Sequence, residues 1–135
     1  MVGIGPLEAE LRAMLPSNVE LLGWLPRDRL SRLFARSAGF IHVGEEDFGI
    51  SMVEALAAGV PVLAADRGGA QDIVRPGRDG VLISDPKDPA QIRSGVRELS
   101  ERNWDADELR RGARRFSEER FRARLAEVLH AHGAR

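Results

Sequence analysis

Short apolar runs that alternate with amphipathic helical stretches constrain this chain more than any other feature. The runs are VGIG (residues 2–5), VELL (19–22), GFIHV (39–43), PVLAA (61–65) and GVLI (80–83). Each is brief and almost wholly apolar, as expected of parallel strands covered on both faces. Between them Leu7, Leu11 and Met14 fit one helical stripe, Leu30, Leu33 and Phe34 a second, and Ile50, Val53, Leu56 and Ala57 a third. Strands joined by right-handed crossover helices wind into a doubly wound sheet. The predicted class is therefore α/β, a Rossmann-like parallel sheet.

The pattern changes after Ser84. In DPKDPAQIRSGVRELS the Asp and Pro residues are helix-start signals, and Ile92, Val96 and Leu99 are expected to face inward. Two more helices are expected, one over residues 106–116 and one from a Ser117 cap through Phe121, Leu125 and Leu129. Arg120 stands where an acid would complete a capping box. At 135 residues and 43% apolar content the chain has the size of one domain, read as 1–135 with a single core. VGIGP resembles a strand end running into a turn, so this domain is expected to lack its first strand–helix unit.

Several function classes are disfavoured. A net charge of -1 supplies no global field to collect nucleic acid or an acidic membrane. The arginines of RRGARRF and RFRAR are interspersed with Glu108, Glu118, Glu119 and Glu127, which reads as solvated helix faces. With no cysteine and three histidines, no metal site is expected. No apolar run approaches the roughly 18 residues of a membrane span, and no signal-peptide pattern opens the chain. The expected location is cytoplasmic.

In an open α/β sheet ligands sit beyond the carboxyl ends of the strands, where loops enter helices. Loops of this kind begin at Gly3, Gly23, Gly44 and Arg67. GEEDFG is the most informative, because Gly49 opens a helix whose leading amides and dipole would face an anion such as a diphosphate. Glu46 precedes that helix and Glu54 lies about one and a half turns inside it, so a ligand across the helix start would meet a carboxylate at each end. Glu46 and Asp47 also suit simple helix capping. Glu54 adjoins the apolar stripe, so it is expected to be partly buried and to need partners.

Glu46-Asp47-Phe48-Gly49, then Glu54-Ala55 and Gly59-Val60-Pro61-Val62, resemble the signature of retaining family 4 glycosyltransferases, two glutamates separated by seven residues. AALAAGVPVLA, RGGAQDIV and GRDGVLI match that family in order and spacing, over most of residues 2–100. The resemblance implies the C-terminal, donor-binding domain of a GT-B enzyme. By it, Glu46 contacts donor-sugar hydroxyls, Glu54 holds the ribose, and the amides of Phe48, Gly49 and Ile50 meet the diphosphate and sugar. Gly23, Trp24 and Leu25 would line the base pocket, with Trp24 as core the alternative. Gly68 and Gly69 would lie beside the donor, although a tight turn would demand them equally. Asp72 stands where the family usually has glutamate, and Val43-Gly44 where it often has Pro-Ser. His42 and Arg67 are possible contacts, each with an ordinary structural alternative.

The expected substrate is a GDP-sugar or UDP-sugar, with no cofactor, and the wording of EEDFGI and RGGA is most like mannosyltransferases. The acceptor-binding N-terminal domain and the cations that serve the diphosphate would lie outside this chain. Any peripheral membrane contact would come through the parent enzyme, which the resemblance places in polysaccharide or glycolipid assembly. The fragment alone is expected to be inactive. The alternative is a non-catalytic, flavodoxin-like nucleotide-binding or regulatory module.

Overall fold

A computed structural model describes residues 1–133, which divide into two compact units, residues 1–33 and residues 34 onward. In the first unit, residues 2–5 and 19–22 run side by side without forming a strand. The Met1 amino group donates to the Glu20 carbonyl at 2.5 Å, Leu22 N–H to Met1 O at 2.9 Å, and Gly3 N–H to Gly23 O at 2.8 Å. Neither expected strand forms: Gly3, with φ of 129°, interrupts the first run, and Gly23, with φ of 64°, turns the chain directly after the second. Helix α1 (Glu8–Met14) carries the expected stripe yet buries no residue, and is braced by a Glu8–Arg12 pair at 2.9 Å. Helix α2 (Arg27–Ala35) crosses the boundary between Leu33 and Phe34, and its one buried residue is Phe34.

The second unit holds the sheet. Strands β1 (Phe40–His42), β2 (Val62–Ala65) and β3 (Gly80–Ile83) pair in parallel in that order, with Phe40 opposite Val62 and Val62 opposite Gly80. All four residues of β2 are buried, so both faces of the central strand are covered. Helix α3 (Ile50–Ala58) crosses from β1 to β2, α4 (Gly69–Ile73) from β2 to β3, and α5 (Pro89–Glu101) follows β3. Leu63, Val81, Ile83 and Leu99 form the core beneath α5, with Val43, Ile92 and Trp104 packed around them.

Two inward expectations change. Leu99 is buried and Ile92 half-buried, but Val96 is 37% exposed, while Gly95 is buried with the space a side chain would take filled by Leu63 and Ile83. In α3 the buried face is Met52, Ala55 and Leu56, and Ile50 is 62% exposed. An almost wholly apolar helix has no periodicity sharp enough to choose a face, and packing along α6 (Ala106–Ala113) chooses it here.

The helix starts are as read. Asp88 caps α5 by accepting from Ala90 N–H, with proline in the first turn, and Ser117 caps α7 (Glu118–Ala131) by accepting from Arg120 N–H. A short 3-10 turn (Arg114–Phe116) completes the expected 106–116 segment. The apolar stripe of α7 is not core: Phe121, Leu125 and Leu129 are exposed.

Candidate functional site

The loops that leave the carboxyl ends of β1 and β2 come into backbone contact. Gly69 N–H donates to the Glu46 carbonyl at 2.8 Å. A Cβ on Gly69 would lie 2.5 Å from the Phe48 carbonyl oxygen and 2.8 Å from that of Asp47, and one on Gly68 would lie 2.6 Å from that of Glu46. Gly68 also has φ of 56° and ψ of -147°, a conformation open essentially to glycine alone. The two glycines are thus required by the neighbouring loop as well as by their own turn.

Gly49 sets the start of α3. Its φ of 86° is left-handed, and a Cβ there would overlap Met52 and come within 2.9 Å of Ile73 Cδ1. Its carbonyl already accepts from Met52 and Val53 N–H. The helix has a glycine at its N-cap, so its leading amides have no side-chain acceptor from that position. This geometry suits an anion laid across the helix start.

Around this frame lie the expected side chains. The Glu46 side chain is 44% exposed, with its Oε2 3.8 Å from His42 Nε2. Glu54 is half-buried on α3, as its position predicts, and Phe48 and Ile50 are exposed. Arg67 donates to the Ser84 carbonyl at 3.0 Å, which ties it to the end of β3. Asp72 is exposed. In the first unit Gly23 is the left-handed residue, Leu25 is half-buried, and Trp24 is 70% exposed, so Trp24 is not core.

Phe48 also borders an open groove of about 1260 Å³, walled by Phe116, Phe121, Leu125 and Val128. This groove meets the glutamate loop only through Phe48 and does not include Glu46 or Glu54. Among the described residues, no group of three His, Asp or Glu side chains is placed to hold a metal ion.

Sequence reasoning missed a buried charge cluster behind the site. Asp79 is fully buried, its carboxylate accepting from Arg75 Nε at 2.6 Å, Arg75 Nη2 at 2.7 Å and Arg75 N–H at 3.1 Å. Arg115 adds a contact at 3.4 Å and donates to the Ile73 carbonyl, so one arginine of RRGARRF is not on a solvated face. Burial by itself would push the Asp79 carboxyl up, but hydrogen bonds from the Arg75 side chain and amide, with the charges of Arg75 and Arg115, hold it below its ordinary value. The same hydrogen bond raises the Arg75 guanidinium. Asp79 precedes a glycine in a turn, where sequence alone points to solvent.

The sequence family described as glycosyl transferases group 1 matches residues 1–118. A GDP-mannose-dependent alpha-mannosyltransferase from Mycolicibacterium smegmatis is 40% identical over 84 residues, which make up 62% of this chain and 22% of that protein. The D-rhamnosyltransferase WbpZ of Pseudomonas aeruginosa is 31% identical over 120 residues, 84% of this chain and 32% of that protein. Among solved structures, Anabaena HepE in complex with UDP-glucose superposes with a TM-score of 0.72 and 27% identity, covering 96% of this chain and 40% of HepE. The chain thus spans between about a fifth and a third of the length of the two sequence relatives.

Proposed function

This chain belongs to the glycosyl transferases group 1 family and has the α/β fold of GT-B glycosyltransferases, and we propose on that premise that it forms the nucleotide-sugar-binding part of a retaining hexosyltransferase. The observation that carries the proposal is the Gly69–Glu46 backbone contact. It sets the loops after β1 and β2 into one wall, with the uncapped start of α3 beside them.

In this reading the amides at Phe48, Gly49 and Ile50 receive the diphosphate and sugar. Glu46 accepts hydrogen bonds from the sugar hydroxyls and Glu54 from the ribose. Gly68 and Gly69 allow the donor close approach to the main chain, and the family resemblance assigns the base to Gly23, Trp24 and Leu25. The reaction breaks the bond between the anomeric carbon and the diphosphate, and the helix-start amides stabilise the negative charge that grows on the leaving oxygen. No cofactor is invoked.

Mannose from GDP-mannose is the hexose we favour, supported by the EEDFGI and RGGA wording and by the name of the Mycolicibacterium relative. The UDP-glucose complex of HepE keeps UDP-sugars as the other donor class. The acceptor, a glycan or glycolipid, is assigned to a further domain of the whole enzyme, which acts in the cytoplasm.

Isothermal titration of the chain with GDP, UDP and their sugar conjugates tests the proposal. A carboxylate hydrogen bond contributes about 1.5–3 kcal/mol, roughly 10- to 100-fold in affinity. Glu54→Ala should weaken free nucleotide by that order, whereas Glu46→Ala should spare free nucleotide and remove the gain conferred by the sugar. Equal affinities in the parent chain and both variants would overturn the assignment.

A further inference from the structure

We propose that His42 is a positioning residue for Glu46, donating from Nε2 to one carboxylate oxygen so that the other is aimed at the donor sugar. The inference rests on Glu46 being the sugar-binding carboxylate.

His42 closes β1, and its ring is held by an aromatic row. It stacks on Phe40 with centroids 6.2 Å apart and planes 16° from parallel, and Phe40 meets Phe34 edge-on at 5.4 Å. Phe34 is buried in the fold, so the row is anchored at one end and presents the imidazole at the other. The ring retains some exposure, 29% for the side chain, but the Nε2 atom itself is shielded from solvent and has no hydrogen-bond partner. Buried polar atoms in native folds are paired as a rule, and an exception calls for a functional account.

Glu46 Oε2, at 3.8 Å, is an acceptor within reach. That distance exceeds a hydrogen bond by a little under about 1 Å. Ring and carboxylate differ in freedom: the imidazole is stacked on a strand, while the Glu46 side chain is 44% exposed and turns from a backbone that Gly69 fixes through the Glu46 carbonyl. Carboxylate rotation therefore closes the gap. One Glu46 oxygen engaged by Nε2–H leaves the second oxygen as an oriented acceptor for a sugar hydroxyl, which separates this role from that of a histidine that only fills space.

The test compares His42→Phe, which keeps an aromatic ring and removes the donor, with His42→Gln, which restores an amide donor. Affinities of the chain for GDP and GDP-mannose, and for UDP and UDP-glucose, are measured by titration calorimetry. The expected result for the pair that shows a sugar-dependent gain is that His42→Phe lowers the gain at least fivefold, toward the value of Glu46→Ala. Free-nucleotide affinity should stay within twofold, His42→Gln should recover at least half the gain, and the double variant should be no worse than Glu46→Ala. An undiminished gain in both His42 variants overturns the proposal. Absence of any sugar-dependent gain in the parent chain overturns the reading of Glu46 instead. The pairing is then judged from a crystal structure of the unliganded chain: Nε2 within 3.2 Å of a Glu46 oxygen sustains it, and Nε2 bonded to another group overturns it.

Discussion

Arg115 reaches from the 3-10 turn after α6 to the buried carboxylate of Asp79, 3.4 Å away, in the loop that leads into β3. The same guanidinium caps the Ile73 carbonyl at the end of α4, so the C-terminal segment is fastened to α4 and to the loop before β3. Removing one member of a buried ion pair costs about 3–5 kcal/mol. Arg75 and Arg115 are each about one-third exposed and can rehydrate, so Asp79→Ala should fall at the lower end of that range. Asp79→Asn, which keeps an acceptor, should lose less. Urea unfolding checks both, read as a midpoint shift at constant slope.

The depressed Asp79 carboxyl predicts a pH window. Its pKa is lower in the folded chain than the 3.8 of a free aspartate, so the unfolded state binds more protons in acid. The stability it contributes is complete above the unfolded value and is lost as pH falls through the folded one. Unfolding free energy should therefore decline as pH drops below about 4. Asp79→Asn should flatten that decline, as followed by chemical denaturation at a series of pH values.

Gly69→Ala should separate the loops that follow β1 and β2. The new Cβ would meet the carbonyl oxygens of Phe48 and Asp47, which are main chain and cannot swing aside. We expect a stability loss of about 1–3 kcal/mol, as for overpacking, and at least a roughly tenfold loss of donor affinity. Gly68→Ala should behave similarly, for strain as well as contact. Gly5→Ala, with no atom near its Cβ position, is the control. Calorimetry and circular dichroism distinguish the outcomes.

Trp24 should report nucleotide binding. It is 70% exposed, whereas Trp104 is half-buried beside the core with its indole N–H bonded to Leu99 O at 2.9 Å. Titration with GDP or UDP should change the tryptophan emission. Trp24→Phe should abolish that change and Trp104→Phe should retain it.

The legible part of this fold was the part written in local pattern. The runs that became β1, β2 and β3, the caps at Asp88 and Ser117, and the glycine opening α3 all follow from neighbours in sequence. The residues of the candidate site were named from spacing and resemblance, and their arrangement came from elsewhere. That Gly68 and Gly69 touch the Glu46–Phe48 backbone depends on two strands lying side by side, which no local pattern encodes. Asp79 was missed for the related reason that its partners Arg75 and Arg115 surround it only after folding. Val96 and Ile50 kept the expected periodicity and lost burial, because helix packing chose an adjacent face.

The join between Gly69 N–H and Glu46 C=O is made of main chain on both sides. Substitution can leave such a frame intact while every projecting side chain around it changes. The spacing of the two loops is therefore independent of the side chains they carry, and sequence change there alters chemistry before it alters shape.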